Sequence, residues 1–395
     1  MSKIVGRRLS SMSYWQQVPA VTPSQISSKY PVVPELTAVE AIEALQKRAP
    51  VSSRGFLSFY SSSHGGIVCD SSAMTIPIDD HMVHRGHAVF DTANIVGGKC
   101  YGLGFHLDRL LKSAAAARIS MKYEGEDIPE DVTKGWLKHI ILETIAASGR
   151  RDGIFCRFWL SAARGDFFVS PSKCLEMKEF YDSPSSPYIG AAQFHCMVHE
   201  GGGRDKAVLA ANGIKEVLVP HGEVPTKPKY LTNAKTTNYL LNALTSMAAE
   251  DEGGVLGIGL DQDGVIMEQA TACIGFLGND GVFRCPKFDY ILESTTLRRV
   301  LEMLPEDSRV STFGGVFNGK VEICDISEEQ AREAREIISF GGGGVLSIVR
   351  LRGTTGDEWI VGDGNPGPFF LRVQALVEEE MKKNTRFLEN IPYKN

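Results

Sequence analysis

The stretch Tyr230-Leu231-Thr232-Asn233-Ala234-Lys235-Thr236-Thr237-Asn238-Tyr239-Leu240-Leu241 is the part of this sequence that says most about its fold. A strand-like apolar run, residues 215–219, precedes it, and a helix-like apolar run, residues 238–249, follows it. A lysine at such a junction can be held in a pocket, where removal from water lowers the pKa of its amine and leaves a nucleophile suited to Schiff-base chemistry. The alternative is a solvated surface charge, because lysine is rarely buried.

The composition is that of an ordinary globular chain. Its 395 residues are 43% hydrophobic and 23% charged, enough for two domains with separate cores. The net charge of −6 argues against a nucleic-acid-binding surface. No apolar run approaches the roughly 20 residues that a membrane span needs. The eight cysteines are scattered without a Cys-x-x-Cys pair, which is typical of free thiols in a reducing compartment.

Residues 1–34 predict an irregular N-terminal arm. The arm contains basic residues and many serines, and the first acidic residue of the chain is Glu35. This bias resembles an organelle transit segment, although no amphipathic helix is clear. Two locations stay open: the cytoplasm, with a disordered tail, or a plastid or mitochondrion.

The rest of the chain predicts an α+β protein of two domains. Residues 35–181 alternate strand-like and helix-like runs and form the small N-terminal domain. The serine- and proline-rich stretch 182–187 predicts a linker. Residues 188–395 restart with strands and form the larger C-terminal domain.

A capping box and a glycine run lie near the end of this larger domain. Ser327 and Gln330 form the box, which predicts a helix to residue 338. Gly341–Gly344 then lead into a strand at 345–351. This order is helix, glycines, strand, whereas nucleotide-binding loops run strand, glycines, helix, so we expect no nucleotide site there.

Two further segments carry ionisable residues suited to a site around Lys235. His106 and Arg109 are three residues apart and share one face of a predicted helix. Glu268 lies on an otherwise apolar strand, where a carboxylate needs a partner. The alternatives are a solvated helix charge for Arg109 and a hairpin salt bridge for Glu268.

Two more segments are suited to binding anions. Ser294-Thr295-Thr296 opens a helix, whose free N–H groups favour a phosphate, although the three residues also suit a simple cap. Arg164 follows a strand and offers a two-pronged fork to a carboxylate, although it is equally an exposed loop charge.

Together these segments resemble the class IV, or fold-type IV, aminotransferases, which use pyridoxal 5′-phosphate. The resemblance covers residues 56–349 and is closest to the D-amino acid transaminase-like proteins of plants and algae. It rests on the order of several motifs: Val89-Phe90-Asp91-Thr92, His106-Leu107-Asp108-Arg109-Leu110, Lys235 before a helix, Gly264-x-x-x-Glu268, and Ile291-Leu292 before Thr295-Thr296. It implies homodimers with a small N-terminal α/β domain and a larger C-terminal mixed, β-barrel-like domain with helices.

The resemblance also implies a role for each motif residue. Lys235 would hold the cofactor as an internal aldimine and then move a proton between substrate and cofactor. Glu268 would pair with the pyridine nitrogen. Arg109, Thr295 and Thr296 would bind the phosphate.

A glycine run stands where the family has a Ser/Thr-rich loop that contacts the phosphate. The run is Gly341–Gly344, so the hydroxyl groups of that loop are lost. The backbone N–H groups of residues such as Gly341 and Gly342 can still bind phosphate in a nest.

Three basic residues are implied to bind the substrate. Arg164 stands where D-amino acid transaminases carry an arginine that grips the α-carboxylate, and His84 and Arg85 would rebuild the rest of that carboxylate trap. The implied reaction moves the amino group of an amino acid, with the D configuration favoured, to a 2-oxo acid. The alternatives are an L-branched-chain aminotransferase, a 4-amino-4-deoxychorismate lyase, and a non-catalytic homologue that only binds the cofactor.

The histidines favour no metal site. His195 and His199 are four residues apart, but on a predicted strand this spacing separates them by roughly 13 Å. His81, His84 and His87 lack a helix pattern and a nearby cysteine ligand.

Overall fold

The computed structural model describes residues 33–48, 55–123, 126–162, 164, 167–171, 192–201, 206–304, 316–342 and 344–394. The chain forms two compact units, Met1–Arg48 and Ala49–Asn395. The described part of the first unit, residues 33–48, contains helix α1, Ala38–Arg48, which is capped by a hydrogen bond of 3.3 Å from Glu40 N to Thr37 Oγ1. Residues 1–32 of the predicted arm lie outside the described residues.

The second unit contains all other described elements. Its strands are β1 Phe56–Ser61, β2 Gly66–Val68, β3 Ala88–Val96, β4 Lys99–Tyr101, β5 Lys122–Tyr123, β6 Glu126–Asp127, β7 Ile154–Ser161, β8 Gln193–Glu200, β9 Ile214–Val219, β10 Ile258–Leu260, β11 Ile266–Gln269, β12 Ala272–Leu277, β13 Phe283–Cys285, β14 Val321–Ile323, β15 Glu336–Gly341, β16 Gly344–Arg352, β17 Glu358–Ile360 and β18 Leu388–Asn390. Its helices are α2 His81–Arg85, α3 Leu103–Ala116, α4 Glu130–Ala147, α5 Lys206–Asn212, α6 Lys229–Thr232, α7 Leu240–Asp251, α8 Thr295–Met303, α9 Glu328–Arg332 and α10 Pro368–Lys383, with 3-10 turns at Ser71–Ala73 and Thr385–Phe387.

The first sheet has the spatial order β18-β4-β3-β7-β8-β1-β2, and its strands pair antiparallel. Strand β7 illustrates why the sequence forms it: Ile154, Cys156, Phe158 and Leu160 are all buried, at the period of two that places alternate side chains on one face. Helices α3 and α4 cover this face with residues such as Leu107. The result is one apolar core beneath the first sheet.

The second sheet has the order β11-β10-β9-β16-β15-β12-β13-β14, with β17 paired to β16. It is mixed, because β9 runs parallel to both β10 and β16 whereas β12, β15 and β16 pair antiparallel. All six residues of β12 are buried, as expected for a strand covered on both faces. Phe369 and Phe370 of α10 and Leu297 of α8 belong to the core on one side of this sheet. Among the helices that the structure describes, none is long and apolar enough to cross a membrane.

The helix predicted for 327–338 is wrong in its length. Its capping box is present, but the helix ends at Arg332 and strand β15 begins at Glu336. The strand lies between β12 and β16, and its β-branched residues Ile337 and Ile338 are fully buried there. Tertiary pairing therefore outweighs the local helix signal.

The predicted linker, 182–187, lies outside the described residues. The domain ranges 35–181 and 188–395 stay a prediction. Strands β8 and β18 follow the linker in the chain but pair within the first sheet, so the two sheets do not separate at a single point of the sequence.

The lysine loop, defined here as residues 233–239, is attached to the first sheet. The N–H of Phe90 donates to the carbonyl of Lys235 at 2.9 Å, and the N–H of Thr237 donates to Ala88 at 2.9 Å. The N–H of Lys235 donates to Ser113 Oγ on helix α3 at 3.0 Å. These bonds fix the backbone on both sides of the lysine. The loop then leads into helix α7, which packs against strand β9 of the second sheet.

Candidate active site

A cavity of about 660 Å³ opens where the lysine loop meets residues of both sheets. Its wall includes residues of β3 and β7 from the first sheet and of β11 and β12 from the second. The cavity brings together six of the residues predicted from the sequence: Arg109, Lys235, Glu268, Thr295, Thr296 and Gly342. Segments far apart in the chain therefore converge on one space.

Lys235 contributes an amine that the protein has largely removed from water. Its Nζ donates to the Tyr239 hydroxyl at 2.9 Å and lies 4.7 Å from the centre of the Phe90 ring. Burial, together with the positive charges of Arg109 and Lys227, lowers the pKa of Lys235 to about 8, against the opposing effect of nearby carboxylates. The amine is thus far closer to its nucleophilic, neutral form at neutral pH than a surface lysine is.

This pKa makes a prediction about reactivity. At pH 7 roughly one Lys235 amine in ten is neutral, against fewer than one in a thousand for an ordinary lysine. Because only the neutral amine attacks a carbonyl, we expect the rate at which the cofactor-free protein takes up an aldehyde on Lys235 to rise with pH and to level off above about pH 9. Borohydride trapping followed by peptide mass mapping measures this rate, and a rate that keeps rising beyond pH 10 would show a solvated amine.

Tyr239 lies four residues after the lysine, at the end of the lysine loop, and lines the same cavity. Burial raises the pKa of its phenol to about 12, so the hydroxyl keeps its proton at neutral pH. Its oxygen accepts from Lys235, which leaves its own O–H free to donate to a group in the cavity.

Arg109 is held by a buried carboxylate. Its Nε and Nη2 each donate to Asp91 at 2.8 Å, a two-pronged pairing, while His106 Nδ1 lies 2.9 Å from the same carboxylate. Burial opposes the ionisation of Asp91, but Arg109 and His106 outweigh it and hold the pKa of Asp91 well below its usual range. Nη1 of Arg109 donates to the carbonyl of Glu293 at 3.0 Å, just before helix α8. The guanidinium therefore lies beside the start of that helix.

The start of helix α8 provides further donors. Ser294 caps it through a bond of 3.2 Å from Leu297 N to Ser294 Oγ, as the sequence predicts. Thr295 and Thr296 are its first residues, whose N–H groups have no acceptor within the helix. The Thr296 hydroxyl donates to the carbonyl of Gly341 at 3.1 Å. Free N–H groups, the helix dipole and Arg109 together make this end of the cavity suited to a phosphate.

The glycine run is only partly described, because Gly343 lies outside the described residues. Gly342 lines the cavity, whereas Gly341 ends strand β15. A Cβ atom placed on Gly342 would meet nothing within 4 Å, so the space beside its backbone is open.

Glu268 lies on strand β11, where it has two partners. Lys227 Nζ lies 3.1 Å from its Oε1, and the N–H of Leu292 donates to its Oε2 at 3.0 Å. The carboxylate is held in the cavity wall on the second sheet, while Arg109 comes from the first-sheet side. This arrangement places an acceptor for a ring nitrogen and donors for a phosphate in the same cavity.

The three residues predicted to bind substrate do not line this cavity. Arg164 Nε donates to Asp79 at 2.9 Å, and Arg85 Nη2 donates to the carbonyl of Phe167 at 2.6 Å. His84 packs against Phe167, with the two rings 4.9 Å apart. Their role toward substrate stays a prediction. Among the described side chains no group of three His, Cys, Asp or Glu residues is arranged to hold a metal ion.

Sequence analysis missed four residues that line the cavity or pair with a residue in its wall. Asp91 stood in a quoted motif without a role, although a carboxylate within the strand pattern Ala88–Val96 was a signal for a buried partner. Tyr239 stood in the quoted lysine stretch without a role. Arg157, on strand β7 with apolar neighbours, and Lys227, which pairs with Glu268, carried no local signal that separates them from surface charges.

The residues present fit pyridoxal 5′-phosphate. The cavity volume of about 660 Å³ is within the ordinary range for cofactor sites. It contains an amine for the aldehyde at Lys235, donors for the phosphate at Arg109 and the start of α8, and a carboxylate for the pyridine nitrogen at Glu268.

Comparison with known proteins agrees with this fit. The family model described as "Amino-transferase class IV" matches residues 88–351. The chain is 35% identical over 361 residues to the D-amino-acid transaminase, chloroplastic, of Arabidopsis thaliana, which covers 91% of this chain and 85% of that relative. It is 27% identical over 312 residues to branched-chain-amino-acid aminotransferase-like protein 1 of the same plant. That match covers 78% of this chain and 48% of the relative.

The same fold occurs among solved structures. The T.th. branched-chain amino acid aminotransferase with pyridoxamine 5′-phosphate has a TM-score of 0.62 at 18% identity, covering 85% of this chain and 99% of that one. At this identity the likeness concerns the fold.

The chain belongs to the class IV aminotransferases. The predicted family, the two-domain α+β fold class, the enzyme class and pyridoxal 5′-phosphate as cofactor are confirmed. The roles of individual side chains stay predictions.

Proposed function

We propose that this aminotransferase moves the amino group of a D-amino acid to a 2-oxo acid, with Lys235 as its catalytic residue. The observation that carries the proposal is the buried Lys235 amine in one cavity with Glu268 and Arg109. The D configuration is supported by the relative named D-amino-acid transaminase, at 35% identity over most of both chains.

Two residues of the cavity, Lys235 and Tyr239, have tasks at the reacting atoms. The cofactor, when bound, supplies an electron sink for the bond broken at the substrate Cα. Lys235 would hold the cofactor through its aldehyde, and its Nζ, when free, would serve as the base that takes the proton from the substrate Cα and gives it back. The lowered pKa of Lys235, about 8, suits a base that works near neutral pH. Tyr239 orients this amine through their hydrogen bond of 2.9 Å.

Arg157 is our candidate for binding the substrate carboxylate. It lies on β7 and lines the cavity, whose wall also includes residues of the second sheet. Its Nε donates to Thr92 Oγ1 at 3.2 Å, and within the described part of the chain it makes no ion pair with a carboxylate. Arg109, by contrast, is already neutralised by Asp91. An unneutralised guanidinium in the cavity is suited to a carboxylate.

Replacing Arg157 by methionine should raise KM for the amino acid and the 2-oxo acid roughly 10- to 100-fold, the value of a lost charge-assisted hydrogen bond. The value of kcat should change less, because the contact is made both before and in the transition state. Steady-state kinetics with both substrates measures this. The matched variant is Arg164→Met, since Arg164 pairs with Asp79 outside the cavity. If Arg164→Met alone raised KM, the sequence-based assignment to Arg164 would be correct and ours wrong.

An L-branched-chain aminotransferase is the second candidate. It is favoured by the branched-chain-amino-acid aminotransferase-like relatives at 26–27% identity. The two candidates differ in the configuration of the substrate at Cα. A half-reaction with a D- or an L-amino acid distinguishes them.

The test uses the cofactor-loaded protein mixed separately with D-alanine, L-alanine and L-leucine, without an acceptor. The proposal expects D-alanine alone to bleach the yellow cofactor band and to release one equivalent of pyruvate per site, in single turnover. Reaction with L-leucine alone would replace it by the branched-chain activity. A yellow protein inert to all three amino acids would refute the proposed transamination.

A homodimer is part of the proposal. It is supported by an apolar stripe on helix α7, where Leu240 is 70%, Leu244 38% and Met247 58% exposed. Light scattering coupled to gel filtration should give twice the chain mass of 43.2 kDa. A monomer at micromolar concentration would contradict it.

We also propose that the N-terminal arm directs import into a plastid, in line with the relative named as chloroplastic. Residues 1–54 fused to a fluorescent protein should carry it into plastids. A diffuse cytoplasmic signal would support the alternative location.

A further inference from the structure

Lys227 forms an ion pair with Glu268 beside the main cavity. Neither the sequence motifs nor the roles proposed above explain this pair. The Nζ of Lys227 lies 3.1 Å from Glu268 Oε1, and the two side chains are only 13% and 15% exposed. A lysine is seldom withdrawn from water to this extent unless a partner compensates for the loss. Lys227 therefore pairs with Glu268 inside the protein and is not a solvated surface charge.

The pair is arranged so that a third group can join it. Lys227 and Glu268 both line a small second cavity of about 40 Å³, together with Thr226 and Tyr290, whereas Lys227 is not among the described residues that line the main cavity. The second oxygen of Glu268 accepts from Leu292 N. An ionised carboxylate has about four acceptor sites, so two occupied sites leave capacity on the side that faces the main cavity.

Without Lys227, the carboxylate would be largely buried with only one backbone N–H as partner. Such a group is costly to bury and turns toward water. Lys227 prevents this before any ligand arrives. The charge of Lys227 also lies near Lys235. The Nζ atoms of Lys227 and Lys235 are each 5.4 Å from the centre of the Tyr239 ring.

We propose that Lys227 is a positioning residue that holds Glu268 in place, and that it then shares Glu268 with the ring nitrogen and weakens that nitrogen's hold on its proton. This inference rests on the proposed role of Glu268 as partner of the pyridine nitrogen. A protonated ring nitrogen and a lysine ammonium on one carboxylate repel each other, so each is less favoured than it would be alone. Lys227 thus tunes how strongly the ring withdraws electrons.

Three variants test this inference: Lys227→Met removes the charge, Lys227→Arg keeps it, and Lys229→Met is the matched control. Lys229 is exposed two residues away, and its amine lies over the Tyr290 ring at 5.2 Å instead of on Glu268. Thermal unfolding is measured with and without pyridoxal 5′-phosphate. The ring nitrogen is followed by NMR with cofactor labelled with ¹⁵N at that position.

Lys227→Met should lower the Tm of the cofactor-free protein by several degrees, and cofactor should raise its Tm more than it raises that of the wild type. The reason is that the ring N–H replaces the missing cation beside Glu268. The ¹⁵N resonance should titrate about 1 pH unit higher in Lys227→Met than in the wild type. Lys227→Arg and Lys229→Met should behave as the wild type in both measurements.

An unchanged ¹⁵N titration in Lys227→Met would overturn the tuning role, and an unchanged Tm of the cofactor-free protein would overturn the positioning role. If Lys227→Met does not fold, the double variant Lys227→Met/Glu268→Gln, neutral at both positions, must fold for the inference to stand. If the wild type binds no cofactor, the proposed function fails. The Tm of the cofactor-free variants would then still decide whether Lys227 holds Glu268.

Discussion

Replacing Lys235 by alanine should abolish covalent attachment of pyridoxal 5′-phosphate and lower kcat/KM by at least roughly 10³-fold. The loss combines two functions of one amine, the covalent anchor of the cofactor and the base that moves the proton, and the base alone contributes roughly 10²- to 10⁴-fold. The fold should survive, because the loop around residue 235 is held by backbone bonds to Phe90 and Ser113 rather than by the lysine side chain. Borohydride reduction and mass mapping of the labelled peptide, beside steady-state kinetics, measure both effects.

Lys229→Ala provides the control for Lys235→Ala. Lys229 lies six residues earlier and is exposed, so its loss should leave cofactor attachment and turnover unchanged. Retention of full activity in Lys235→Ala, or a borohydride label found on another lysine, would refute the central assignment. Non-covalent retention of the cofactor by Lys235→Ala would leave the assignment standing, because the phosphate and ring contacts proposed for Arg109 and Glu268 remain.

Replacing Asp91 by asparagine should lower the free energy of unfolding by about 3–5 kcal/mol and weaken cofactor binding by roughly 10²-fold or more. Asp91 is 1% exposed and compensates the Arg109 guanidinium, whose side chain is 15% exposed, and breaking such a pair leaves a buried charge without a partner. The asparagine amide also turns a donor toward Arg109 and His106, which both face the carboxylate as donors. Arg109 would then lose its orientation beside helix α8, and with it the phosphate contact. Urea unfolding and cofactor titration measure the two effects separately.

Asp108→Asn is the matched control for Asp91→Asn. It removes a carboxylate from helix α3 whose partner is Lys134, with the two side chains 58% and 34% exposed. An exposed pair contributes at most about 1 kcal/mol, so stability and cofactor affinity should barely change. Equal losses in the two variants would show that Asp91 has no special relation to Arg109. Lost stability with normal cofactor affinity would show that Asp91 stabilises the fold without orienting Arg109.

Much of the fold could be predicted from local patterns. A strand was predicted before Arg164, and strand β7, Ile154–Ser161, lies there, because its buried residues follow a period of two. Helix α8 was predicted from Ser294 as its cap, a signal read within one helical turn. Where the prediction was wrong, at 327–338, a strand position between β12 and β16 outweighed a correct local capping box.

The candidate site could likewise be predicted only in part from the sequence. Lys235, Glu268, Arg109, Thr295 and Thr296 could be named from the sequence, because each belongs to a motif whose order along the chain is distinctive. The structure brings all five to one cavity. Their chemical roles remain to be tested by the variants described above.

Other residues could be placed only in three dimensions. Arg157 and Arg164 lie on one short segment, but only Arg157 lines the cavity, because the register of β7 against β3 and the ion pair with Asp79 decide where each side chain points. Asp91 and Arg109 are 18 residues apart, and Lys227 and Glu268 are 41 apart.

The sequence by itself determined the family, and it predicted many of the local elements and Lys235 as the candidate reactive residue, since those depend on residue order over short distances. The tertiary structure alone decided which charges are buried, which partners neutralise them and which guanidinium stays available in the cavity. Burial and pairing energies depend on atoms that come together only when the two sheets and the lysine loop meet. That is why the partners of Arg109 and Glu268, and the lowered pKa of Lys235, are properties of the fold.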